Sequence, residues 1–153
     1  MAPASEKRPI LLVVEDDPAH AALIEAALSY HSIPWDIHVT GSSEEAMDYL
    51  MGSWPYQHRV RSPLPDVILL DLGLPGMGGL DFLGWFNGRG EAWADIPIIV
   101  FTAHEERTVG ERATALGAQE VLVKPSGFSE LVETISGVLG RWHRRHPPDA
   151  ASS

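Results

Sequence analysis

Five stretches of the chain are rich in apolar residues, and a segment with helical periodicity follows each one. Ile10 to Val14 is aliphatic throughout and runs into Glu15-Asp16-Asp17-Pro18. Val67 to Leu70 is equally unbroken and ends in a single carboxylate, Asp71, before a Gly/Pro loop that closes at Gly79. Short continuous runs bounded by turn residues predict strands covered on both faces, as in a parallel sheet. Trp35 to Thr40 alternates instead and predicts a more exposed strand at an edge. Ile96 to Thr102 is a fourth strand, with Pro97 near its start where a missing N–H is tolerated. Glu120 to Lys124 is the fifth, stopped by Pro125.

The intervening segments predict helices. Pro18 suits a first helical position and Asp17 the N-cap before it. That helix shows Ala19, Leu23, Ala26 or Ala27, and Tyr30 on one face. Ser43 opens a second helix carrying Ala46, Met47 and Leu50, and Gly52 to Pro65 is a long polar loop. A third runs from Leu80 to Phe86, a fourth from His104 to Leu116 with Gly117 as its cap, and the last from about Phe128 to Arg144. Such alternation predicts an α/β fold: a doubly wound, five-stranded parallel sheet with helices on both faces. It forms one domain, residues 9–145, between flexible tails 1–8 and 146–153.

Composition narrows the function. The 153 residues are 44% apolar and 21% charged, ordinary for a globular domain. Without cysteine there is no thiol chemistry, which fits a reducing, cytoplasmic setting. No apolar run approaches the ~20 residues of a membrane span. A net charge of -10 argues against nucleic-acid binding. The one basic run, Arg141-Trp-His-Arg-Arg-His146, reads as a helix end whose dipole favours cations.

The strand ends carry the chemistry. In open α/β sheets, ligands bind outside the carboxyl ends of the strands. An acid delivered there, such as Asp71, is a reactive group, a metal ligand or a cap of the next turn. Glu15 and Asp16, Thr102 and Lys124 arrive at the same edge. Carboxylates crowded together repel, so a cation sits among them or one stays protonated. The donors are all hard oxygens, which points to Mg²⁺. A carboxylate beside Mg²⁺, a Lys and a hydroxyl can move a phosphoryl group, with the carboxylate as nucleophile. The seven His show no metal-ligand spacing. His104, nearest the site, is a candidate for tuning access to it.

Val14-Glu15-Asp16-Asp17, Leu70-Asp71-Leu-Gly-Leu-Pro75 with Gly79, Val100-Phe-Thr102-Ala103 and Val123-Lys124-Pro125 together resemble the receiver domain of bacterial two-component response regulators, over roughly residues 8 to 140. The long loop before the third strand and the tail Leu139-Gly-Arg-Trp142 are similar to the small stand-alone regulators that partner bacterial phytochromes. The resemblance implies a flavodoxin-like three-layer sandwich and a phospho-acceptor fed by a sensor histidine kinase, such as a bacterial phytochrome. It implies signalling with no enzymatic activity beyond slow self-dephosphorylation. Asp71 would accept the phosphoryl group. Asp16 and Asp71 would ligate Mg²⁺ by side chain and Gly73 by its backbone carbonyl, with Glu15 acting through water. Lys124, Thr102 and the backbone of Ala103 would contact the phosphoryl oxygens, and Lys124–Pro125 would be cis.

One position departs from the family: Val121 stands where an aromatic switch residue is usual. The signal would then leave by loop shifts or altered self-association. The last helix bears an apolar stripe from Phe128 to Trp142, roughly 21 Å long at ~1.5 Å per residue, against ~17–20 Å for a strand. Trp142 is therefore expected to overhang the sheet, uncovered, and to join Val121 in a homodimer contact through the fourth helix, fifth strand and fifth helix. Two rivals share the architecture. A haloacid-dehalogenase-type phosphohydrolase needs an acid two residues after the nucleophile, where Gly73 stands. A flavodoxin-like FMN carrier needs a phosphate cradle where Glu15-Asp16-Asp17 would repel it.

Overall fold

A computed structural model describes residues 8–31, 33–103 and 107–146. The five predicted strands form: β1 Ile10–Val14, β2 Asp36–Thr40, β3 Val67–Asp71, β4 Ile98–Thr102 and β5 Glu120–Val123. They lie in one parallel sheet of order β2-β1-β3-β4-β5. Both central strands β3 and β4 are buried at every position, as unbroken aliphatic runs require. The alternating β2 is an edge strand, as its pattern predicts.

Five helices cover the sheet: α1 Pro18–Leu28, α2 Ser43–Met51, α3 Gly79–Asn87, α4 Arg107–Ala115 and α5 Phe128–Arg145. A short 3₁₀ turn, Gly90–Trp93, leads into β4. Two cores result, one on each face. Ile24, Leu28, Ile135 and Leu139 of α1 and α5 fill one against Leu11, Val13 and Leu69. Tyr49, Leu50, Phe82 and Leu83 of α2 and α3 fill the other against Leu12, Ile68 and Leu70. The fourth helix is described only from Arg107, so its predicted start and His104 lie outside the described residues, as do most of both tails. Among the described residues no helix is long and apolar enough to cross a membrane.

Three expectations change. The face of α1 turned to the core carries Ala21, Ile24, Ala27 and Leu28, while Leu23 and Tyr30 are 46% and 71% exposed. The helix is apolar nearly all round, so periodicity alone did not choose between its two stripes. Trp142 does not overhang. Its ring packs at 5.3 Å from that of Trp35, just before β2, and stacks on His146 at 4.6 Å. Strand length set the reach of the sheet in the sequence argument, but the residue preceding β2 extends the apolar surface by one more aromatic ring. Third, Trp54–Pro55 is the cis peptide among the described residues, and Lys124–Pro125 is trans, the form an X-Pro bond favours by about 0.5–1 kcal/mol.

The 52–65 loop is held rather than loose. Arg59 donates to the carbonyls of Tyr49, Leu50 and Ser62 at 2.8, 2.6 and 3.0 Å. It thereby gives Leu50 O a partner at the end of α2 and adds a second donor to Tyr49 O, which also accepts from Gly52 N–H at 3.2 Å. Tyr49 Oη donates to Pro63 O at 2.7 Å.

Candidate functional site

Each parallel strand ends at the same edge of the sheet, so the residues that follow β1, β3, β4 and β5 are brought together there. Glu15, Asp16 and Asp71 each place a carboxylate oxygen within 4.8 Å of the other two. Glu15 and Asp71 are buried and Asp16 is exposed. Lys124, just beyond β5, reaches across with Nζ 3.1 Å from Asp71 Oδ2 and 3.3 Å from Glu15 Oε1. Gly73 donates its N–H to Asp71 Oδ1 at 2.9 Å. Both oxygens of Asp71 are therefore held, one by a cation and one by a backbone amide. Thr102 is buried at the end of β4, beside the strand that carries Asp71, and Ala103 follows it exposed. Asp17 accepts from Ala19 N–H at 2.9 Å and caps α1, as Pro18 after it suggests. Val121 lies half-buried on β5, packed under α4 beside Gly110.

The electrostatics follow from burial and crowding. Burial pushes the Glu15 carboxyl up, and its hydrogen bond and charge repulsion with Asp71 push it further; Asp17 N–H and Lys124 only partly offset this. Burial also acts upward on Asp71, but the contact with Glu15, the Gly73 amide and Lys124 outweigh it, leaving Asp71 below its ordinary range. Burial alone would lower Lys124; Asp71 and Glu15 instead raise it. Crowding and burial thus disfavour the charged form at Glu15, while the contacts of Asp71 favour it there. The oxygens of Glu15, Asp16 and Asp71 suit a small hard cation.

The loop after Asp71 is pinned on both sides. Ser43, fully buried at the start of α2, donates to Met77 O at 2.8 Å. Gly79 presses so close that a Cβ there would stand 2.9 Å from Asp71 O and 2.8 Å from Leu72 Cα. Two site neighbours escaped the sequence argument. Ser43 looked like the start of a helix and nothing more. His20, whose Nδ1 lies 2.6 Å from Glu15 Oε1, stands at no metal-ligand spacing. The available signal was its place in the first turn of a helix that starts at the site.

Residues 11–136 match the family model described as response regulator receiver domain. The regulatory protein LuxO of Vibrio vulnificus is 33% identical over 142 residues, which are 92% of this chain and 28% of LuxO. The chain thus spans little more than a quarter of that relative's length. Among solved structures, the response regulator RPA3017, in red light signaling of R. palustris, superposes with a TM-score of 0.79 at 26% identity, covering 88% of this chain and 92% of that one. The bacteriophytochrome response regulator AtBRR gives 0.68 at 35% identity, covering 85% and 91%.

Proposed function

The chain belongs to the response regulator receiver domain family, and from that premise we propose that it takes up a phosphoryl group on Asp71. The observation that carries this is the setting of the Asp71 carboxylate: buried at the end of β3 and held by Gly73 N–H and Lys124. An Asp71 oxygen attacks phosphorus, the P–N bond of a phosphohistidine breaks, and the leaving imidazole keeps the electron pair and takes up a proton. Lys124 is poised to follow the charge from the carboxylate to the phosphoryl oxygens, and Thr102 with the Ala103 amide completes their contacts. Asp16, Asp71 and the Gly73 carbonyl would hold Mg²⁺, with Glu15 behind a water. The metal, when bound, neutralises charge on the incoming phosphate. Gly73 in place of a second acid leaves the phosphohydrolase reading unsupported, and the acids after β1 do the same for FMN.

The donor is a sensor histidine kinase, and likeness to RPA3017 and AtBRR supports a phytochrome among such kinases. Its docking face is the outer stripe of α1, where Ala19, Ala22 and Leu23 are exposed on the helix that starts at the site. A homodimer through α4, β5 and α5 no longer has Trp142 to support it; it rests on the exposed Val123 at the sheet edge.

The test of phospho-acceptance is chemical. Acetyl phosphate with Mg²⁺ adds one phosphoryl mass to the wild type by intact-protein spectrometry, and adds none in EDTA. If Asp71→Asn gains the same mass to the same extent, the acceptor is elsewhere.

A further inference from the structure

The imidazole of His20 meets the most buried acid of the site, although no part of the phosphoryl-transfer reading uses it. Its Nδ1 stands 2.6 Å from Glu15 Oε1, and its side chain is 18% exposed. The ring is placed by a rigid element: Pro18 opens α1, Asp17 caps it, and His20 sits in the first turn. Glu15 Oε1 has a second partner, Lys124 Nζ at 3.3 Å, and Oε2 accepts from Asp17 N–H at 3.3 Å. Lys124 is also 3.1 Å from Asp71. It is therefore shared, and on transfer it follows the phosphoryl charge. His20 then holds Oε1 at 2.6 Å, closer than Asp17 N–H holds Oε2.

We infer that His20 is a positioning residue, holding Glu15 Oε1 through an Nδ1–H donor so that the carboxylate keeps its orientation toward the cation site. The inference rests on the receiver reading. His20 acts through Glu15 rather than on the cation, since the oxygens gathered within 4.8 Å of one another belong to Glu15, Asp16 and Asp71. A histidine bound to a carboxylate beside a metal is a common outer-shell device, fixing the orientation of the group it touches. An Nδ1–H donates to the carboxylate whether or not the far nitrogen also carries a proton.

The geometry specifies which substitutes work. The side-chain nitrogen of Asn is attached where Nδ1 of the imidazole is, whereas that of Gln reaches the place of Nε2. Mg²⁺ affinity is measured by calorimetry on wild type, His20→Asn, His20→Gln and His20→Ala, without phosphoryl donor. His20→Ala and His20→Gln are expected to bind Mg²⁺ up to about 10-fold more weakly, the low end for an outer-shell partner because Glu15 itself acts through water. His20→Asn is expected to bind as the wild type does. Equal affinities in all four proteins, or equal loss in Asn and Gln, overturn the inference. Should the Ala variant fold poorly, the Asn and Gln pair still decides. Acetyl phosphate loading of the wild type separates the levels: no phosphoryl gain refutes the receiver reading, whereas gain with unchanged variant affinities refutes only the role of His20.

Discussion

Replacing Gly79 by alanine sets two effects of known size against each other. Gly79 is the first residue of α3, and an added Cβ would lie 2.8 Å from Leu72 Cα, 2.8 Å from Leu72 Cδ2 and 2.9 Å from Asp71 O. Ordinary contacts begin at 3.4 Å. Two of the three atoms are backbone, so no rotamer change relieves them. The first turn of α3 or the Asp71–Leu72 segment must retreat by about half an ångström, at the ~1–3 kcal/mol typical of overpacking. Against this, Gly to Ala restricts the unfolded chain and stabilises by about 0.4–1 kcal/mol. The clash wins. For a chain of 153 residues, each kcal/mol moves Tm by about 2–4 °C, so a net loss of roughly 0–2.5 kcal/mol lowers Tm by up to ~10 °C. Gly41 is the control, because a Cβ there meets nothing within 4 Å; Gly41→Ala is expected to melt at or slightly above the wild type. Thermal unfolding by circular dichroism reads both. The same retreat displaces Asp71, so Gly79→Ala should also take up phosphoryl from acetyl phosphate more slowly. A Gly79→Ala protein that melts above the wild type and loads at its rate would refute the close-approach argument.

Glu15→Gln should raise the apo melting temperature at neutral pH. The folded-state pKa of Glu15 is raised, so its burden is absent in acid and develops as pH climbs through that raised value; melts matching the wild type from pH 4 to 8 (roughly the span between an unfolded Glu and neutrality) would contradict this. Arg59→Met removes three hydrogen bonds, two to carbonyls at the end of α2 and one to Ser62 O in the loop; we expect a loss of about 1–3 kcal/mol and faster proteolysis within residues 52–65, and an unchanged urea midpoint would show the clamp to be idle. Trp142→Ala strips the partner of Trp35 and should lower stability by about 1–3 kcal/mol, less than for a fully buried Trp, with unchanged sedimentation. Unchanged melting with altered sedimentation would instead make Trp142 an interface residue.

The strand ends were legible because the chemistry is one-dimensional there. Aliphatic runs such as Val67–Leu70 end in an acid, and the parallel topology alone gathers those ends. Residues that reach the site sideways were not legible. His20 and Ser43 act through the angle at which α1 and α2 leave the sheet, which no spacing encodes. The first helix misled for a different reason: with Ala, Leu or Ile on nearly every face, its period carries no phase. Trp142 was not legible from strand length, because Trp35, which covers it, lies one residue before β2. Arg59 looked like one more polar loop residue. Its partners are backbone carbonyls, and backbone groups have no identity in a sequence.

The strand order has a consequence for how the chain reaches this structure. Ile10 N–H donates to the carboxylate of Asp66 at 2.8 Å, 56 residues away, and marks where β3 must insert beside β1. No two neighbouring strands are joined by a hairpin, so every ladder closes across a helix and its loops. Loop closure must then precede any reward from pairing, which places such chains among the slower small folders, on the order of milliseconds to seconds. During synthesis β1 and β2 can pair first, leaving one edge of β1 open until β3 emerges. That open edge, aliphatic from Leu11 to Val14, is a surface on which the nascent chain can aggregate. If the Arg59 clamp on residues 52–65 forms before β3 docks, Arg59→Met slows refolding as well as lowering stability.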